Sequence, residues 1–179
     1  MIKVATVKDA ETIASIHVPS KQKAYRGLVA DDVLDAKTLE EYTGKWTKWM
    51  SDPDNPVTVA LSYEEDKPAG FICWGPLRTP PPGTSKIRPA YPAEIYALHI
   101  HPDFWRTGHG RKLMQYCAQA LKEEKKQNAF CLWALKGNKN ADAFYMKLGA
   151  QRLGKRLMYI GETEYPELCY GWRDISILL

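Results

Sequence analysis

Residues Ala129–Leu135 read AFCLWAL, a nearly unbroken apolar run. As a strand it offers water no polar face, so both of its faces must be covered, which makes it an interior strand of a layered sheet. Its upstream neighbours fit that demand. Glu94–Ile100 (EIYALHI) is a second strand, stopped by Pro102. Between the two, from about Gly108 to Lys126, apolar residues recur at helical spacing, with Leu113, Met114, Cys117 and Leu121 on one face. A strand, a helix and a second buried strand in succession point to a mixed α/β architecture.

The remaining pattern extends this unit in both directions. Ile2 and Val4 alternate with polar neighbours as a short first strand, and Thr6-Val7-Lys8-Asp9 has the form of a helix start, followed by Ile13, Ala14, Ile16 and His17. A second helix fits 38–50, where Tyr42, Trp46, Trp49 and Met50 form an aromatic stripe that reads as core. Val57–Tyr63 and Ala69–Gly75 make a hairpin across the polar turn 64–68. From Pro76 to Pro92, six of the twelve prolines crowd into 17 residues, which predicts a long surface loop. Asn140–Leu148 is a short helix closed by Gly149, and two last strands, about 152–160 and 166–173, flank a turn at 161–164. The expected order is β-α-α-β-β-loop-β-α-β-α-β-β, a single domain spanning 1–179.

Composition narrows the function classes. A chain of 179 residues, 45% hydrophobic and 26% charged, suits one globular domain and excludes wholesale disorder, collagen and a disulfide scaffold. No run approaches the roughly 18 apolar residues of a membrane span, and the N-terminus lacks a signal-peptide core, so the expectation is a cytoplasmic protein without a membrane partner. The net charge of +4 is too mild to announce a nucleic-acid binder. It is also uneven: residues 104–112 and 136–156 hold nine Lys/Arg and one Asp, and the remainder sums to −4. Cys73, Cys117, Cys131 and Cys169 lie far apart and read as reduced core thiols. His99 and His101 have no third ligand nearby, so no metal is expected.

The segment that carries chemistry is Trp105-Arg106-Thr107-Gly108-His109-Gly110-Arg111-Lys112, between a strand and an amphipathic helix. Backbone N–H groups at a helix N-terminus favour an anion, and glycines let a phosphate approach closely. Neither the dinucleotide fingerprint nor the Walker loop is present, since position 113 is Leu and no G-K-S/T follows. A lone G-x-G is weak evidence on its own and equally suits a plain turn.

The whole run from Glu94 to Met114 resembles the strand, pyrophosphate loop and helix of the GNAT superfamily of N-acetyltransferases. Gly108 and Gly110 match the glycines of the family's Q/R-x-x-G-x-G/A loop, whereas Trp105 stands where Gln or Arg is common. A second family pattern, N-x-x-A-x-x-F-Y-x-x-L-G-F, is matched from Asn138 through Ala141, Phe144, Tyr145, Leu148 and Gly149, and loses only its last aromatic, to Ala150. Ile16-His17-Val18 and Ala24–Leu28 are similar to the first-helix region of one subgroup.

The resemblance implies a mixed, mostly antiparallel sheet of six to seven strands with splayed central strands and about four flanking helices. It implies acetyl-CoA as co-substrate, without a metal. The pyrophosphate would lie at Arg106, Thr107, Gly108, His109, Gly110 and Arg111, and the pantetheine along Leu98, His99 and Ile100, with Asn138, Ala141 and Tyr145 as further cofactor contacts. Glu94 corresponds to a general base acting through water, and Tyr145 to the general acid for the CoA thiolate. His17, Tyr25 and Tyr96 are candidate contacts of the acceptor, a small-molecule or peptide amine. A homodimer would be in keeping with the family. The competing reading is a non-catalytic acyl-CoA-binding or sensing module.

Overall fold

The computed structural model describes residues 1–78 and 91–179, so most of the proline-rich segment expected to form a surface loop lies outside the described residues. Seven strands form one sheet in the order β1-β2-β3-β4-β5-β7-β6. They are β1 (Ile2–Val4), β2 (Thr58–Glu64), β3 (Lys67–Pro76), β4 (Ala93–Ile100), β5 (Phe130–Leu135), β6 (Gln151–Ile160) and β7 (Thr163–Trp172). The helices are α1 (Ala10–Tyr25), α2 (Asp31–Asp35), α3 (Leu39–Met50), α4 (His109–Lys125) and α5 (Lys139–Lys147). The β1–β2, β2–β3, β5–β7 and β6–β7 ladders are antiparallel, and β4–β5 is parallel. No helix among the described residues is long and apolar enough to cross a membrane.

The chain divides into two compact units. The first comprises Met1–Trp74 and Ala97–Tyr116, the second Gly75–Tyr96 and Cys117–Leu179. In the first, Ile13, Ala14 and Ile16 of α1, Tyr42 and Trp46 of α3, Phe71 of β3 and Leu113 of α4 are buried, so the aromatic stripe is core packing. Asp9 opens α1 by accepting from the Thr6 N–H and hydroxyl at 2.9 and 3.1 Å, as the sequence form predicts. The helix then continues through Pro19, although that residue lacks the N–H of a regular helical turn.

Two local readings change. The β2–β3 turn narrows from five residues to Glu65-Asp66, with Glu65 at φ 51°. Pro68 joins the ladder opposite Tyr63, next to a register shift at Ser62/Tyr63, where its missing N–H is accommodated. The short helix α2 was not legible in the sequence. Its acidic ends, Asp31 and Asp35, both bridge Arg26, at 2.9 and 2.6 Å.

In the second unit the core runs through Ala93, Ile95, Phe130, Cys131, Leu132, Cys169, Tyr170 and Trp172, with Cys117, Ala118 and Leu121 from α4. The first three residues of β5 are fully covered, in line with its apolar sequence. Gly149 closes α5 at φ 83°, a left-handed conformation that glycine adopts without steric cost.

Candidate active site

In the first unit, β4 runs through Leu98, His99 and Ile100 into a 3-10 turn at Pro102–Phe104 and then into α4. The connecting loop takes left-handed backbone angles at Arg106 (φ 66°) and Gly108 (φ 96°). An added Cβ at Gly108 would meet nothing within 4 Å, so its backbone faces open space. Lys112 N–H donates to the Gly108 carbonyl at 3.1 Å, which begins the helical ladder there. Arg106, Thr107 and Arg111 are exposed, and Gly110 lies in the first turn. The arrangement offers free donors of a helix start and two guanidiniums to an anion.

Two side chains shape this loop in ways the sequence did not disclose. Trp105 donates its indole N–H to the Ile100 carbonyl at 2.8 Å, tying the loop to the end of β4. The residue that departs from the family pattern therefore has a local role of its own. His109 is 1% exposed, and its Nε2 lies 3.0 Å from a Glu64 carboxylate oxygen on β2. Of the residues expected at the pyrophosphate, His109 thus has a buried imidazole that anchors the loop to β2.

His99 turns its ring inward. Its Nδ1 lies 3.1 Å from the Ser20 hydroxyl, and its ring packs on His17 and Phe71 at centroid distances of 4.3 and 5.5 Å. Burial, reinforced by Lys21, pushes its pKa down to about 3. His17 accepts the Trp46 indole N–H on Nδ1 at 3.1 Å. Burial, and then His99, Lys21 and Lys45, hold it well below the ordinary imidazole range. Both rings are therefore neutral near pH 7, and His17 carries its proton on Nε2. Tyr25, half-buried at the end of α1, has the Lys21 ammonium 5.9 Å from its ring centroid.

In the second unit, β4 and β5 pair over three residues only, Ala93↔Phe130, Glu94↔Cys131 and Ile95↔Leu132, although β4 continues to Ile100. Glu94 is 4% exposed, and its carboxylate accepts the Arg78 backbone N–H at 3.0 Å. The carboxylate is therefore covered rather than solvated, although it stands near the start of its strand. Tyr96 donates its hydroxyl to the Pro76 carbonyl, and the Arg78 guanidinium lies 3.4 Å from its ring centroid. Next to Glu94, the Cys131 thiol is hydrogen-bonded to Cys169 and pushed up by that bond and by burial.

Tyr145 on α5 is 7% exposed and packs against Tyr170 and Trp172 of β7 at 5.2 and 6.0 Å. Strand alternation separates it from Glu94. Cys131, beside Glu94, pairs with Gly171, whereas Tyr170 and Trp172 point the other way. Glu94 and Tyr145 thus belong to opposite faces of the sheet in this unit. Asn138 caps α5, its side-chain oxygen accepting from Ala141 N–H at 3.1 Å. The cap commits that oxygen and that amide, and leaves the Asn138 amide nitrogen for other contacts.

An open sheet of this strand order, with a glycine-bearing loop leading into α4, is the architecture of an acyltransferase. Residues 21–150 match the model of the Acetyltransferase (GNAT) family, and the chain belongs to that family. It is 27% identical over 177 residues to an uncharacterized N-acetyltransferase, YuaI, of Bacillus subtilis strain 168, covering 99% of this chain and 95% of that one. Its fold is similar to that of the PaiA N-acetyltransferase from Thermoplasma acidophilum, solved in complex with coenzyme A. That likeness has a TM-score of 0.70 at 17% identity and covers 94% of this chain and 96% of the other. A ribosomal-protein-alanine N-acetyltransferase from Brucella melitensis is also similar, with a TM-score of 0.67 at 17% identity, covering 96% of this chain and 98% of the other.

Proposed function

We propose that this acyltransferase moves the acetyl group of acetyl-CoA to a primary amine by direct attack, and that both units serve as one acetyltransferase domain, since the family match runs through both. The amine nitrogen attacks the thioester carbonyl carbon, the C–S bond breaks, and an amide and the CoA thiolate result. An alkylamine with a pKa near 10 arrives protonated at pH 7, so its proton must be accepted before attack. Glu94 takes that proton through water. As the tetrahedral adduct collapses, Tyr145 protonates the departing sulfur, and the nitrogen's second proton, lost as the amide forms, passes through water to restore the phenol. The loop Arg106–Arg111 holds the pyrophosphate, and the stretch Leu98–Ile100 offers backbone groups to the pantetheine amides and an N–H to the thioester oxygen.

The observation that carries this reading is the three-residue β4–β5 ladder with Glu94 buried on one face and Tyr145 on the other. Addition of the amine and departure of the thiolate are separate steps, so the acceptor of the amine proton and the donor to the sulfur can be different groups on different faces. Asn138 contributes its amide nitrogen to the cofactor, and Tyr96, Tyr25 and His17 belong to the acceptor side. Among these His17 is committed to Trp46 through Nδ1 and has only Nε2–H to offer.

The test is free-thiol release from acetyl-CoA across small polyamines, amino acids and peptides, in wild type and Glu94→Gln. Turnover is expected with at least one amine class, and the variant should lose about 100-fold or more in kcat/KM near neutral pH. A variant with an unchanged pH–rate profile would remove Glu94 as the base. Acetyl-CoA binding without turnover on any amine would point to the sensing module instead.

A further inference from the structure

We propose that Glu64 of β2 is a positioning residue for the pyrophosphate loop, acting through the His109 imidazole, so that a side chain of the β2–β3 hairpin sets the affinity for the cofactor. The proposal rests on the reading of Arg106–Arg111 as the pyrophosphate site and adds what holds that loop in shape. Among residues 101–110 only His109 is buried, and it is the first residue of α4. Its ring meets the Phe104 ring edge-on at 5.9 Å, and its Nε2 lies 3.0 Å from the Glu64 carboxylate. A carboxylate only accepts, so the ring donates its Nε2–H there. The buried Nδ1 has no partner among the described residues. The imidazole thus has a single hydrogen bond, and Glu64 supplies it.

Glu64 stands on a firm support. It ends β2 opposite Lys67, where a two-residue turn closes the hairpin. That hairpin is fastened to the elements carrying the loop, since the His101 N–H donates to the Ala69 carbonyl at 2.8 Å. A β-carbon on Gly70 would stand 2.5 Å from Ile100 Cδ1, 3.0 Å from the His99 carbonyl oxygen and 3.3 Å from Leu113 Cδ1. β3 therefore lies directly against the end of β4 and the start of α4, an approach that glycine permits. The loop is tied at both ends, by Trp105 to the Ile100 carbonyl and by His109 to Glu64, with Arg106, Thr107 and Gly108 exposed between the ties. Cutting the second tie leaves a buried imidazole without any hydrogen bond, which the chain relieves by turning the ring toward water. Because His109 begins α4, that movement carries the first-turn N–H groups with it.

The sign of the effect separates this role from simple electrostatics. An acid near a pyrophosphate repels it, so Coulomb's law alone predicts that removing the Glu64 charge tightens cofactor binding. Positioning predicts a loss when the replacement cannot accept a hydrogen bond, and no loss when it can.

Calorimetric titration with coenzyme A tests this, with circular dichroism as the folding control. Glu64 is 57% exposed, so its variants should fold. Glu64→Ala should weaken binding about tenfold, whereas Glu64→Gln, whose amide oxygen still accepts from Nε2–H, should bind at least as tightly as wild type. In a His109→Leu background, where no imidazole needs a partner, Glu64→Ala should change the affinity less than twofold. Without cofactor, the Lys112 amide, bonded to the Gly108 carbonyl, should exchange faster in Glu64→Ala than in wild type or Glu64→Gln. Unchanged or tighter binding by Glu64→Ala, an equal loss in Glu64→Gln, a further tenfold loss in the His109→Leu background, or unaltered exchange would each overturn the proposal. Exchange across 106–111 of wild type tells that failure from a failure of the loop reading: coenzyme A should slow it, and bound coenzyme A that leaves these amides unprotected would remove the loop as the pyrophosphate site and this proposal with it.

Discussion

Tyr145 shows how a single side chain can be read for chemistry and for packing at once. Its ring is fixed between α5 and β7 by Tyr170, Trp172 and Phe144, a set of edge and tilted contacts that a phenylalanine would preserve. Removing the hydroxyl alone therefore isolates the proposed proton donation. Tyr145→Phe is expected to slow acetyl transfer by about 10²-fold while leaving acetyl-CoA binding and thermal stability nearly unchanged. Titration calorimetry for the cofactor beside steady-state thiol release would separate the two effects, and full activity in the variant would remove Tyr145 as the acid. The sequence pattern located this residue but not its surroundings. Nothing in Phe144-Tyr145-Met146 indicates that the ring would pack on the face of β7 opposite to the one that continues from Glu94, because strand parity depends on which residues of β5 and β7 become partners.

At the scale of elements, the strands and the long helices were legible because they carry the strongest periodic signals. AFCLWAL became the covered strand β5, and the apolar face of 108–126 became α4. Short pieces were not legible: α2 has only five residues and is held by Arg26 across both of its acidic ends, a tertiary device without a sequence period. The loop before α4 was legible through its glycines, whereas its anchors were not. Trp105 looked like the loss of a polar ligand and proved to be a donor to Ile100, and Glu64, 45 residues away on β2, was never a candidate for His109. The loop's shape rests on Gly108 at φ 96°, where a β-carbon is strained even with room around it. Gly108→Ala is accordingly expected to raise the KM for acetyl-CoA severalfold, with a smaller change in kcat, because the strain of about 1 kcal/mol or more is relieved by moving the amides away from the proposed phosphate position. Initial rates across a range of acetyl-CoA concentrations at saturating amine would show it. An unchanged KM would mean that these amides do not hold the pyrophosphate.

At the scale of the whole molecule, the mild net charge conceals a stability that should depend steeply on acidity. His17 and His99 are both held neutral in the folded protein, His99 with a pKa of about 3 and His17 well below the usual value. In the unfolded chain each titrates near 6.5. Below that value the unfolded state binds protons that the folded state refuses, so stability rises with pH through this window and falls as the solution is acidified. The loss begins near pH 6.5 and continues toward about 3 for His99. Two such groups contribute a slope of up to about 2.7 kcal/mol per pH unit, and about 2.5 kcal/mol between pH 7 and 5.5. Asp9, Asp35, Glu41, Asp142 and Asp174 are held below the ordinary carboxylate range by hydrogen bonds and ion pairs, and they add to the loss only below about pH 5, so the window from 6.5 to 5 isolates the histidines. Urea unfolding followed by tryptophan fluorescence at pH 7, 6 and 5.5 should show the midpoint falling steadily at constant slope. The same series on Ser20→Ala, which leaves the Nδ1 of His99 without its hydroxyl partner, should be lower at every pH yet fall in parallel, because burial rather than that hydrogen bond keeps the ring neutral. A midpoint that stays flat from pH 7 to 5.5 would mean that the two imidazoles accept protons inside the folded chain.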